Sequence, residues 1–97
     1  MGKLILYGEL ARRIGRREIK ISTRGKRVID ILKEFAEKYN VVELLFKDNK
    51  IRPLYLILID GRDYYSLGLL NTTLDEEKEI RIIPTFHGGN FFLSRLI

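Results

Sequence analysis

Val28-Ile29-Asp30-Ile31-Leu32-Lys33-Glu34-Phe35-Ala36-Glu37-Lys38-Tyr39 is the stretch that decides the fold. Val28, Ile31, Leu32, Phe35, Ala36 and Tyr39 recur at helical spacing, so they form the apolar face of an amphipathic helix of about three turns. Lys33 with Glu37 and Glu34 with Lys38 are i, i+4 pairs on the wet face, and Asn40 is a left-handed stop. Ahead of the helix, Lys26 and Arg27 oppose its dipole and supply no Ser or Asp cap, which predicts a frayed first turn.

On the N-terminal side, Lys3-Leu4-Ile5-Leu6-Tyr7-Gly8 reads as a strand apolar on both faces and central in its sheet. In Glu9 to Gly15, Leu10 and Ile14 fall at i, i+4 and tuck under the sheet as one helical turn. Arg17 to Ser22 alternates, so Ile19 and Ile21 are its buried side and the two strands pair as a hairpin. Beyond the helix, Val41 to Lys50 extends the helical layer or covers a sheet edge. Pro53 introduces a buried strand over Leu54 to Ile59, and Asp60-Gly61 is a hairpin turn into a short strand around Arg62 to Tyr65. After turns carrying Leu67, Leu69, Leu70 and Leu74, the charged turn Asp75-Glu76-Glu77 returns the chain to Ile80-Arg81-Ile82-Ile83, a strand closed by Pro84. Five short strands and one long helix predict a two-layer α+β domain, with the helix laid across one side of a mixed sheet. Its expected core is Ile5, Ile19, Ile21, Leu32, Phe35, Ile57, Ile59, Leu69, Ile80 and Ile82.

The chain has 97 residues, 45% of them hydrophobic, which is enough for one domain. It contains no cysteine and one histidine, His87, so disulfides, zinc clusters, thiol catalysis and a Ser-His-Asp triad lack their parts. The longest apolar run is too short to span a bilayer, and a strand pattern follows Met1 where a signal peptide would place its apolar segment; the expectation is a soluble, cytoplasmic protein with no membrane partner. A net charge of +5 admits acidic partners or nucleic acid. Arg12, Arg13, Arg16, Arg17, Lys20, Arg24, Lys26 and Arg27 cluster around the first two strands, yet no aromatic is interleaved with them, which disfavours nucleic acid and favours a solvated or partner-facing surface.

Past Pro84 come Thr85-Phe86-His87-Gly88-Gly89 and an apolar tail, Asn90 to Ile97. A glycine pair beyond a strand-ending proline is slender enough to enter a space that any Cβ would block. Together with Leu6-Tyr7-Gly8-Glu9-Leu10-Ala11-Arg12-Arg13-Ile14-Gly15, Leu58-Ile59-Asp60-Gly61-Arg62 and Thr73-Leu74-Asp75, this order resembles the MoaD/ThiS family of ubiquitin-like sulfur carriers, the small subunits of molybdopterin synthase and their thiamine-pathway relatives. The resemblance runs from Lys3 to Gly89. It implies a ubiquitin-like β-grasp of residues 1–89, with a mixed sheet of four to five strands on one main helix, followed by an extension over residues 90–97.

The resemblance also implies chemistry at a carboxyl group. In that family a ubiquitin-activating-type adenylating enzyme uses ATP to activate the terminal glycine, which then carries sulfur as a thiocarboxylate. Carried over to this chain, Gly89 is the reacting residue and Gly88 its flexible spacer, with no cofactor bound and the exposed sheet face as docking surface. The implied partners are that enzyme, the large subunit of molybdopterin synthase or target proteins, and a protease that removes the tail. The departures are Pro84-Thr85-Phe86-His87, where the family commonly has Pro-Pro-Val-Ala, and the eight residues after Gly89, which leave it without a free carboxylate. A processed precursor of a sulfur carrier, a modifier joined to lysines through Gly89, and a β-grasp binding module that keeps its tail all stay open. In the uncut chain the apolar residues Phe91, Phe92, Leu93, Leu96 and Ile97 are expected to dock on an apolar strip and shield Gly89.

Overall fold

A computed structural model describes residues 1–85. Its elements run β1 (Gly2–Leu6), α1 (Gly8–Ile14), β2 (Glu18–Ile21), α2 (Val28–Lys38), α3 (Val42–Leu45), β3 (Phe46–Lys47), β4 (Lys50–Ile51), β5 (Tyr55–Ile59), β6 (Arg62–Asp63) and β7 (Glu79–Pro84). Five strands form one mixed sheet in the order β2-β1-β7-β5-β6, and β3 with β4 makes a separate hairpin. β1 and β7 are parallel, while β1–β2, β5–β7 and β5–β6 are antiparallel. This is the expected ubiquitin-like β-grasp. Among the described residues no helix is long and apolar enough to cross a membrane.

The core lies between α2 and one face of the sheet. Val28, Ile31, Leu32, Phe35 and Ala36 of α2 are buried against Leu4, Leu6, Ile19, Ile57, Ile59, Ile80 and Ile82. Ile5 does not belong to this core: β1 turns Leu4 and Leu6 inward and leaves Ile5 half-exposed on the other face. The sequence is apolar at all three positions, so alternation could not choose between them. Gly2 shares the inward parity, and a Cβ there would meet Thr23 Cγ2 at 2.9 Å. Leu69 is likewise only half-buried, and Leu70 and Leu74 pack on the core in its place.

The start of α2 is not frayed. Its first amides, on Val28 and Ile29, donate to the carbonyls of Thr72 and Leu70 at 3.1 and 2.8 Å. A distant loop thus satisfies the donors that the local sequence leaves orphaned. Arg27 adds a two-pronged pair to Asp30, at 2.8 and 3.1 Å. Asn40 takes the left-handed conformation expected of it, with φ 57°. The stretch after it folds as α3 and a hairpin whose turn, Asp48-Asn49, has φ of 53° and 65°. α1 makes two turns where one was expected, burying Leu10 and ending on Gly15 with φ 80°.

A single carboxylate ties the N-terminal strands to the approach of β7. Glu77 Oε1 accepts from the amides of Gly2 and Thr23, both at 2.8 Å, and Oε2 accepts from Arg24 N at 3.2 Å. Beside it the buried Thr23 hydroxyl accepts from Lys78 N at 2.8 Å. The Thr23 and Gly2 amides favour the charged carboxylate and lower the Glu77 pKa from 4.5 to about 2. A depressed folded-state pKa contributes stability that is present above 4.5 and lost as pH falls towards 2.

Two outcomes are expected. Leu6→Ala should destabilise the fold by about 2–5 kcal/mol and Ile5→Ala by about 1 kcal/mol or less, by denaturant unfolding; equal costs would overturn the facing of β1. In thermal melts followed by circular dichroism, the wild-type melting temperature should fall steeply between pH 4.5 and about 2, while Glu77→Gln starts lower at neutral pH and falls less.

Candidate functional site

The residue expected to react, Gly89, and its expected spacer, Gly88, follow β7 in the sequence. Both lie outside the described residues, as do His87 and the whole of Asn90 to Ile97, so the expected docking of the tail lies there too. The described structure does show the base from which the tip departs. β7 runs between two neighbours, in register Leu4↔Ile80 and Leu6↔Ile82 with β1 and Tyr55↔Pro84 and Ile57↔Ile82 with β5. Its ladder continues past Pro84, because Thr85 N donates to Leu54 O at 2.6 Å. β7 is bonded to β1 over Glu79 to Ile82 and to β5 over Ile80 to Pro84, so the strand is fixed in the sheet and its exit end is held from the β5 side.

Gly8 shapes that exit. The sequence marks it as the end of a strand; it instead opens α1, separated from the end of β1 by Tyr7 alone, and it also seats Pro84. Its φ is +62°, and a Cβ added there would lie 2.8 Å from Pro84 Cγ. Absence of a side chain is thus needed twice, for the left-handed backbone and for the proline ring. Only the fold reveals the second need, since Gly8 and Pro84 are far apart in sequence.

The face of the sheet away from α2 surrounds the same strand. Ile5, Leu56, Leu58 and Ile83 are half-buried there, with Leu56 opposite Ile83 and both Ile5 and Leu58 opposite Arg81. Arg81 is the polar centre of this apolar patch: its guanidinium donates to the Tyr7 hydroxyl and, at 2.6 Å, to Glu79 Oε1. These partners, Tyr7 first, raise its pKa further above an already high value, so it is a permanent cation. A depression of about 260 Å³ beside it is lined by Leu58, Asp60, Gly61, Glu79 and Arg81. The alternation of Ile80, Arg81 and Ile82 put Arg81 on this face; nothing in the sequence announced Tyr7 as its partner. An apolar surface with the Arg81–Glu79 ion pair at its centre and an adjacent shallow recess suits docking of another protein.

The eight cations around the first two strands do not converge on one site. Arg12 Nε donates to Glu9 Oε1 at 3.0 Å, Lys26 Nζ to Glu34 at 3.3 Å, and Arg27 is taken by Asp30. Arg16, Arg17, Lys20 and Arg24 remain exposed.

A profile of the Urm1 family, described as ubiquitin related modifier, matches residues 12–89. The chain is 45% identical over 47 residues to a ubiquitin-related modifier 1 homolog of Bombyx mori, a match that takes in 48% of this chain and 43% of the silkworm protein. The chain thus aligns with less than half the length of that relative. Among solved structures it resembles Urm1 of Sulfolobus solfataricus, with TM-score 0.63 and 30% identity, over 84% of this chain and 97% of that one. It also resembles the small archaeal modifier protein 1 of Methanosarcina acetivorans, with TM-score 0.74 and 29% identity, over 90% and 94% of the two chains.

Gly8→Ala should cost about 1–2 kcal/mol for the left-handed backbone, plus the clash with Pro84. Adding Pro84→Ala should recover part of that loss in a denaturant titration; additive losses would show that the two residues do not meet.

Proposed function

The chain belongs to the Urm1 family of ubiquitin related modifiers, β-grasp relatives of MoaD and ThiS, and on that premise we propose that it is a ubiquitin-like carrier activated at Gly89. Supporting this reading is the extent of the family match, which runs to Gly89 and stops there, leaving Asn90 to Ile97 outside it. Cleavage of the Gly89–Asn90 bond then supplies the carboxylate that activation needs. An adenylating enzyme of the ubiquitin-activating type docks on the apolar outer face around Arg81. The tip, held at Thr85 by the sheet, enters that enzyme's channel, and Gly88 and Gly89 pass where a Cβ would be stopped. The carboxylate attacks the α-phosphorus of ATP, releasing pyrophosphate and forming an acyl-adenylate. Hydrosulfide released by a sulfide donor then attacks the carbonyl carbon, AMP leaves, the bound sulfur loses its proton, and a thiocarboxylate remains on Gly89.

The chain's part in this chemistry is positional. It has no cysteine with which to carry sulfur, and a terminal thiocarboxylate requires none. The large subunit of molybdopterin synthase is one acceptor for such sulfur, and other thiolation reactions are equally served. A second reading, in which the activated glycine is joined to lysines of target proteins, draws on the modifier names of the silkworm and archaeal relatives. The two readings share every step up to the adenylate.

The test compares the full chain with one ending at Gly89, each given an adenylating partner, ATP and a sulfide donor. Intact mass should show one oxygen replaced by sulfur on the shorter chain alone. Isopeptide adducts without any thiocarboxylate would favour the modifier reading. Adenylation of neither chain, or recovery of only the uncut form from native cells, would overturn the carrier proposal.

A further inference from the structure

β2 is an edge strand of the main sheet. Leu6 N donates to Arg17 O at 2.8 Å, and the pairing continues as Leu4↔Ile19 and Gly2↔Ile21. By the alternation of an antiparallel ladder, Arg17, Ile19 and Ile21 therefore turn their amides and carbonyls to β1, whereas Glu18 and Lys20 turn theirs outward. Those groups are a template for one more strand.

Directly beneath this edge lies a groove of about 130 Å³ between β2 and α2. Ile19, Ile21, Phe35 and Tyr39 supply its apolar walls, and Lys20, Lys38 and the Lys26-paired Glu34 stand on its rim. That space fits one branched aliphatic side chain. An added strand points alternate side chains to either face, so one of them enters the groove while its backbone bonds to Glu18 and Lys20.

The charges around the edge are one-sided. Lys20 stands opposite Lys3, and the acids near that pair, Glu18 and Glu79, both approach Lys3, at 3.2 and 3.9 Å. On the helix, Glu34 is engaged by Lys26 at 3.3 Å. Arg16, Arg17, Lys20, Arg24 and Lys38 are left to face an incoming chain. A second copy pairing through its own β2 would bring the same excess of cations against itself, and the apolar tail of this chain carries Arg95 and no acid.

We propose that the β2 edge and its groove against α2 form a recognition site for an extended peptide of a partner protein, which binds as an added strand with one aliphatic anchor and acidic residues on its flanks. This recognition is non-covalent and needs neither Gly89 nor ATP, so its failure and the failure of the carrier reading are separate results.

The test titrates the full chain, uniformly labelled with nitrogen-15, with a capped synthetic peptide of alternating valine and isoleucine flanked by glutamates. Amide shifts should be confined to Glu18–Ser22 and Glu34–Tyr39, with slowed hydrogen exchange at Glu18 and Lys20. Lys20→Pro removes an outward donor without breaking the β1 ladder, and Lys38→Glu leaves the backbone untouched; each should weaken binding by about tenfold or more, as should replacing the glutamate flanks by lysine. A melting curve checks that Lys20→Pro is folded, and Lys38→Glu decides if it is not. Shifts centred on Arg81, no saturation by about 1 mM peptide, binding indifferent to Lys38→Glu, or sedimentation showing a second copy seated on β2 would each overturn the proposal.

Discussion

β7 comes last in sequence among the described strands and lies in the middle of the sheet, and the rest of the structure depends on that placement. The β2–β1 pair and the β5–β6 pair have no contact as strands except through it. Its parallel bond to β1 joins residues from opposite ends of the described chain, which is a costly closure in chain entropy and can be made only once most of the chain is in place. The Glu77 carboxylate fixes the point of closure by gathering the amides of Gly2, Thr23 and Arg24 just before the strand begins. Lys78 does the same for the other half, reaching Asp60 at the β5–β6 turn at 2.8 Å.

On the proposed function, this arrangement gives the tip a firm origin within a small domain. A terminal segment hung from an edge strand would share that edge's freedom. Here it continues a central strand whose inward residues, Ile80 and Ile82, are fully buried, and whose last bond among the described residues runs from Thr85 to Leu54. Burial of such side chains, each worth about 1.5–3 kcal/mol, holds the origin of the tip in place.

How much of this was legible in the sequence varied with the range of the interaction concerned. The face of α2 could be read because Val28 to Ala36 carry their own period, and the strands because Ile19 and Ile21, or Ile80 and Ile82, alternate with charged neighbours. Where the pattern is apolar throughout, as in Leu4-Ile5-Leu6, parity is lost, and the register that sets Leu4 beside Ile19 and Ile80 and Leu6 beside Ile82 decides it. The capping of α2 was invisible for a different reason: its acceptors, the carbonyls of Leu70 and Thr72, lie more than a helix and three strands away. At the candidate site, Gly88-Gly89 is a local motif that the sequence alone displays. The pairing of Arg81 with Tyr7 and the seat of Pro84 on Gly8 are products of the β1–β7 register, and no local pattern carries them.

The sheet has two faces and two edges, and their uses do not compete. The inner face is filled by α2, and the outer face around Arg81 surrounds the strand from which the tip departs. The β6 edge is short and carries Arg62 and Asp63, the latter turned back to accept from Ile57 N at 2.9 Å and Tyr65 N at 3.1 Å. Among the described residues, of the two sheet edges it is β2 that combines unpaired backbone groups with an apolar groove. It is separated from β7 by β1, so at about 4.8 Å per strand the two lie roughly 10 Å apart. A peptide lying along β2 places its anchor on the helix side of the sheet, away from the outer face and away from Thr85. Its acidic flanks meet Lys20 and Lys38, while Arg81 stays bound to Tyr7 and Glu79. An enzyme working on the tip and a partner held at the edge can therefore occupy the domain together, which lets it bring the two into one complex.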